Sequence, residues 1–189
     1  AGKVLYITFE GIMPHGKIIE NLIISAGYTV ITHVLKNDTK PSLEYCDGMN
    51  LTEDIRLVVA FGGGTVCDMA KYICCKLNAK LIIIPSAPSC TAFLSPFSAL
   101  YQNKIKKYIR TVPPYALICD LSQVAKVPVN IKASGVGHLC AAMVSLFDWY
   151  FSKTVAGSDY CQNIADLVQQ SIDICIVQGQ GLMSGNIKS

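Results

Sequence analysis

The chain has 189 residues, of which 51% are apolar and only 15% charged, with a formal net charge of +3, so it is long enough to bury a core and lies far from the disordered class. Its basic residues are too few and too scattered for a nucleic-acid footprint, and its longest apolar runs, such as 81–85 and 139–147, fall short of the roughly 20 residues that span a bilayer. Neither nucleic acid nor a membrane is therefore expected as a partner. So apolar a composition leaves surface in want of cover, and a homo-oligomer is expected.

In chain order, Val4–Thr8 reads as a strand and not as a secretion signal, which would need a basic patch, an apolar run and a small-residue cleavage site. Gly16–Ala26 follows as a helix ended by Gly27, then Thr29–Leu35 as a second strand, with a weaker helix near Leu43–Cys46. Leu57–Phe61 is a third strand. Glycines and a helix over Val66–Leu77 come next, and Lys80–Ile84 is a fourth strand ending at Pro85. This βαβαβαβ alternation predicts an α/β fold, a doubly wound parallel sheet. The stretch Ser89–Tyr101 is irregular and polar, and loops of that length often carry function. Beyond it lie a basic edge strand over Lys104–Arg110, a buried strand over Tyr115–Asp120 and a long helix from Asn130 past Trp149. From Asp159 the period is again helical, with Leu167, Ile172 and Cys175 on one face, until Gly179, Gly181 and Gly185 break it. The division falls near Lys126, giving a nucleotide-binding domain over 1–126 and the start of an all-helical domain over 127–189. The nine cysteines are odd in number and sit mostly in apolar runs, so they are read as free thiols in a reducing cytoplasm. Adjacent Cys74 and Cys75 point to different sides of their helix, which argues against a zinc ribbon.

The most informative segment is Phe61-Gly62-Gly63-Gly64-Thr65-Val66-Cys67-Asp68-Met69-Ala70-Lys71, set between a strand and a helix. Successive glycines let backbone amides approach a diphosphate, and the helix that follows adds unpaired N–H groups and the positive end of its dipole. The spacing is neither G-x-G-x-x-G nor the Walker pattern. Asp68 either belongs to the site or merely favours the helix start, and Lys71 either belongs to it or is a solvated helix residue.

Taken with Pro85-Ser86-Ala87-Pro88-Ser89 and Ser134-Gly135-Val136-Gly137, this segment resembles the family of iron- or zinc-dependent alcohol dehydrogenases and glycerol dehydrogenases. It resembles most of all the glycerol-1-phosphate dehydrogenase branch, through Cys119-Asp120-Leu121, Ala133–Gly137 and Asp148-Trp149. The resemblance covers nearly the whole chain and implies the dehydroquinate synthase-like fold. It implies an NAD- or NADP-dependent oxidoreductase that moves hydride between the nicotinamide and a small polyol or polyol phosphate with a divalent metal, zinc or iron. Gly62, Gly63, Gly64 and Asp68 would hold the diphosphate region, and Ser86, Ser89, Ser95, Phe97 and Tyr101 would line the path from adenine to nicotinamide. Asp38 after the second strand suits a ribose hydroxyl, whereas Lys36 suits a 2′-phosphate.

Three positions depart from the family at the chemistry. His138 stands where the resemblance implies a metal-binding aspartate, Thr91 where it implies a second aspartate near the substrate, and Ala141 where it implies a lysine. The remaining metal ligands, two histidines, would lie past the tail at 181–185, so the helical domain is expected to be incomplete; His15 and His33 read as surface or packing histidines. Two further readings stand beside the dehydrogenase. One is an impaired or truncated relative that binds dinucleotide without turnover. The other is a carbon–oxygen lyase of the dehydroquinate synthase type, disfavoured because the loop after Pro85 lacks a Gly-Gly-Lys segment.

Overall fold

The structure is a computed structural model and describes residues 2–184. It contains β1 (Lys3–Phe9), a 3-10 turn (Glu10–Ile12), α1 (Met13–Ser25), β2 (Thr29–Leu35), α2 (Leu43–Asp47), β3 (Ile55–Gly62), α3 (Gly64–Leu77) and β4 (Lys80–Pro85). These are followed by β5 (Phe97–Gln102), β6 (Ile105–Arg110), β7 (Ala116–Leu117), α4 (Leu121–Val124), α5 (Val129–Ala156) and α6 (Gln162–Ser184). By contacts the chain forms two compact units, Ala1–Ser86 with Thr91–Asp120, and Ala87–Cys90 with Leu121–Ser189.

In the first unit a five-stranded sheet runs in the order β2-β1-β3-β4-β7, all of its pairs parallel. A strand covered on both faces must be apolar on both, which is why β1 carries the unbroken run Val4-Leu5-Tyr6-Ile7, all of it buried. Alternation then sorts the side chains. Leu5 and Ile7 join Val58, Ala60 and Ile83 beneath α3, while Val4 and Tyr6 join Val59 and Phe61 beneath Ile12, Ile19 and Ile23. Tyr6 is buried and donates its hydroxyl proton to the Gly16 carbonyl at 3.0 Å, and burial pushes its pKa up to about 12. Helix α3 buries Val66, Met69, Ala70 and Ile73, each large side chain contributing about 1.5–3 kcal/mol. Cys74 is also buried there, whereas neighbouring Cys75 is exposed.

Three sequence expectations change. The end of the irregular stretch is a strand: β5 pairs antiparallel with β6 in a separate two-stranded sheet. Its tight turn places Asn103 at φ 50° and Lys104 at φ 66°, the two-residue hairpin geometry usually signalled by Asn-Gly. Tyr115–Asp120 is not a buried strand, because β7 is two residues long at the sheet edge and Ile118 is 53% exposed. Gly179 and Gly181 do not end α6, which continues to Ser184; Gly185 lies outside the described residues. The long helix expected from Asn130 is α5, which starts at Val129 and contains Ser134–Gly137.

The second unit is built on the antiparallel-type pairing of two long helices joined by a turn at Gly157, whose φ of 66° caps α5 in the left-handed conformation. Trp149 donates its indole N–H to the Asp159 carbonyl at 2.7 Å and packs on Tyr160 with centroids 4.6 Å apart. Ala165 and Ile172 are buried on α6. Among the described residues no helix is long and apolar enough to cross a membrane.

Two glycines of α5 make opposite demands. A Cβ at Gly135 would lie 1.9 Å from the Pro88 carbonyl oxygen, a backbone atom, whereas a Cβ at Gly137 would meet nothing within 4 Å. Gly135→Ala is expected to destabilise the protein by about 1–3 kcal/mol and Gly137→Ala to stabilise it by up to about 1 kcal/mol through helix propensity. Urea unfolding of the two variants side by side checks the contrast; equal effects would refute the close approach.

Candidate functional site

In a doubly wound sheet a ligand crevice forms beyond the carboxyl ends of the strands, where neighbouring connections diverge. Here β1 is flanked by β2 on one side and β3 on the other, and β3 ends there in Gly62. Gly63 is the N-cap of α3, with φ −88° and ψ −165°, and no side chain caps the helix. The Cys67 N–H bonds the Gly63 carbonyl at 3.1 Å, the first bond of the helix ladder, so the N–H groups before it in the first turn have no intrahelical partner. The glycines divide the work. A Cβ on Gly62 would stand 2.5 Å from Val66, while one on Gly63 would meet nothing within 4 Å. Gly62 is needed for packing; Gly63 leaves the approach to the helix end open. The Ser86 N–H donates to the Gly62 carbonyl at 3.1 Å and fixes the end of β4 beside this turn.

One turn further along α3 lies a buried charge. Lys71 is 0% exposed and Asp68 8%. The Lys71 Nζ lies 2.9 Å from Asp68 Oδ1, 2.9 Å from the Ala92 carbonyl and 3.3 Å from the Ser95 carbonyl, and it also donates to the Phe97 carbonyl. Lys71 is therefore not a solvated helix residue: an ammonium sealed from water must place its protons on acceptors. At least four acceptors share three protons. Burial raises the Asp68 pKa above the ordinary carboxylate value, against the Lys71 ammonium and the Ala99 backbone N–H, which lower it.

The segment so held is ordered by itself as well. Ser95 Oγ accepts from the Phe97 N–H at 3.1 Å, and the Thr91 carbonyl from the Leu94 N–H at 3.3 Å. Along β5, Ser98 and Leu100 are buried while Phe97 is exposed and Tyr101 half-buried, so Phe97 and Tyr101 share the other face. The Tyr101 N–H reaches the Pro41 carbonyl at 2.8 Å.

Of the residues singled out in the sequence, Gly62, Gly63, Gly64, Asp68, Ser86, Thr91, Ser95, Phe97 and Tyr101 lie in the first unit, and Ser89 and His138 in the second. Lys71 brings Asp68 together with Ser95 and Phe97. His138 is exposed on α5, as is Ala141. Among the described residues no group of three or more His, Cys, Asp or Glu side chains gathers to hold a metal ion, so these residues do not by themselves fit a metal site. Lys36 and Asp38 are both exposed after β2, where Asn37 Oδ1 accepts from the Gly11 N–H at 3.0 Å. His33 lies 3.0 Å from the Tyr45 hydroxyl beside an open cleft of about 510 Å³ that Leu5, Ile31 and Met49 help to line; burial lowers its pKa. His15 is exposed.

The family described as iron-containing alcohol dehydrogenase matches residues 10–128 of the chain. A glycerol-1-phosphate dehydrogenase, NAD(P)+, from Hyperthermus butylicus is 34% identical over 131 residues, covering 67% of this chain and 37% of that protein. One of the same name from Caldivirga maquilingensis is 32% identical over 143 residues, covering 73% and 40%. The chain thus spans about two fifths or less of the curated relatives it matches. Among solved structures, a glycerol dehydrogenase from Schizosaccharomyces pombe superposes with a TM-score of 0.77 at 21% identity, over 98% of this chain and 49% of that one. An iron-containing alcohol dehydrogenase from Thermotoga maritima gives 0.68 at 13% identity, over 100% and 59%. Both share the fold.

The raised pKa of Asp68 has a sign that can be tested. A carboxyl whose pKa is higher folded than unfolded binds its proton more tightly in the native state, so its contribution to stability falls as pH rises from the unfolded value near ~4 through the folded one. The wild-type chain is expected to lose stability relative to Asp68→Asn across that window. Urea midpoints of both proteins between acid and neutral pH measure it, and a wild type that gains on the variant would contradict it.

Proposed function

The chain belongs to the iron-containing alcohol dehydrogenase family, and from that premise we propose that it is the nucleotide-binding part of an NAD(P)-dependent oxidoreductase acting on a small polyol or polyol phosphate. The observation that carries this reading is the open, uncapped start of α3 at Gly63. Its N–H groups and dipole suit a diphosphate, for which Gly62, Gly63 and Gly64 form the bed and Ser86 supplies a hydroxyl. Asp68 belongs with the glycines in the diphosphate region of this reading, and Ser95, Phe97 and Tyr101, in the same unit, line the rest of the path. A nicotinamide held there would supply the hydride acceptor, taking up the hydride of the carbinol carbon as the hydroxyl proton leaves and a carbonyl forms. A substrate of the glycerol-1-phosphate class is supported by the names of the relatives and by the basic residues Lys104, Lys106, Lys107 and Arg110 on and beside β6. A cytoplasmic homo-oligomer completes the reading. Asp38 and Lys36 leave NAD and NADP both open.

In the wider family a divalent metal polarises the substrate oxygen. His138 is the position in this chain proposed to face such a metal, and Thr91 the position proposed to lie near the substrate. No step is assigned to a metal, since the described residues hold no ligand cluster. A second reading, dinucleotide binding without turnover, is favoured by His138, Thr91 and Ala141 standing where the family resemblance implies aspartate, aspartate and lysine.

NADH and NADPH fluorescence titrations, with and without zinc, test the assignment on wild type and Gly63→Val. Saturable binding is expected in the wild type, with affinity at least about tenfold weaker in the variant and little change in melting, because a Cβ at Gly63 meets nothing within 4 Å. A folded wild type that binds neither nucleotide would overturn the proposal, and binding without alcohol-dependent reduction of NAD(P) would select the second reading.

A further inference from the structure

We propose that Lys71 is a positioning residue for the nicotinamide end of the dinucleotide site, acting through the loop that its ammonium holds and not by touching the cofactor. The inference rests on the preceding reading and adds a residue that it does not use.

The argument begins with where the charge lies. Lys71 follows Gly64 by seven residues on α3, about 10 Å along the helix axis at 1.5 Å per residue, so it is well removed from the helix start where a diphosphate would bind. It is completely buried and therefore cannot contact a ligand directly. Its protons go instead to Asp68 and to the carbonyls of Ala92, Ser95 and Phe97. Three carbonyls drawn to a single atom fix the path of a segment whose own structure is little more than two turns, closed by the Leu94 N–H and the Ser95 hydroxyl. That segment leads directly into β5, and the register with which β5 starts decides which face Phe97 and Tyr101 present. A shift of one residue would exchange them with Ser98 and Leu100, which are now buried. Thr111 closes the far side: its N–H donates to the Pro96 carbonyl at 2.8 Å and its hydroxyl lies 3.3 Å from that of Ser98. The carbonyls drawn in by Lys71 thus set the geometry of the wall that extends the site beyond the glycine turn, while the turn itself is built from Gly62, Val66 and Ser86 without the lysine.

This division can be read out with two ligands. NADH uses the diphosphate bed and the wall; ADP-ribose, which lacks the nicotinamide ring, uses the bed. In the full chain, Lys71→Met is expected to weaken NADH about tenfold while leaving ADP-ribose within about twofold. Lys71→Gln, which keeps a shorter neutral donor, is expected to lie between wild type and Lys71→Met for NADH, and it serves alone should the methionine variant fail to fold. Thermal melting of each protein accompanies the titrations. Parallel losses for the two ligands would show that Lys71 supports only general stability and would overturn the inference, as would unchanged NADH affinity. A folded wild type that does not bind NADH would instead defeat the reading on which the inference stands.

Discussion

A positive charge enclosed by protein constrains its whole neighbourhood, because every proton it carries must find an acceptor or the fold pays several kcal/mol for the omission. Lys71 is such a charge, and much of the first unit is arranged to meet that demand. Helix α3 can be buried along nearly its whole length only because the segment after β4 folds back and lends it carbonyls. Once folded back, that segment delivers the chain to β5, which contributes Leu100 to the core. Burial of the pair outweighs the ammonium beside Asp68 and lifts its pKa above the ordinary carboxylate value. The loop path follows from one enclosed atom, and the acidity of its partner from the enclosure itself.

The start of α3 obeys a different constraint, that of room. Two adjacent glycines are there for unlike reasons, one because Val66 fills the space where a side chain would go, the other because that space faces outward. Sequence alone does not separate them. Each would be written as a glycine of the phosphate bed, yet changing Gly62 perturbs packing first and changing Gly63 perturbs access first.

Regular elements whose period matched their burial were legible. β1, β2, β3, β4 and α3 stood out because a doubly covered sheet demands apolar runs and its crossover helices demand a 3.6 period. β5 is hidden in the sequence because its turn, Asn103-Lys104, takes left-handed conformations without the glycine that normally advertises them. The end of α6 is obscured for the converse reason: Gly179 is carried within a long helix, where even an added Cβ would meet nothing within 4 Å, so its intrinsic cost does not stop the chain. At the site, the glycine turn was visible from its place between strand and helix. Lys71 is ambiguous in the sequence, since a lysine on a helix ordinarily faces water. The signal was present in its neighbours: Met69, Ala70, Ile73 and Cys74 surround it in sequence, leaving little room for a solvated face.

The adjacent thiols on α3 give the protein a chemical reporter of its own breathing. Cys75 is open to solvent, whereas Cys74, one peptide bond away, is buried with its thiol 2.6 Å from the Ala79 carbonyl and its pKa pushed up to about 11. An alkylating reagent that reaches the first at once can reach the second only when the helix lifts from the sheet. Because Lys71 lies on the same buried face one turn earlier, the lag between the two modifications times the opening of the helix that carries the enclosed charge.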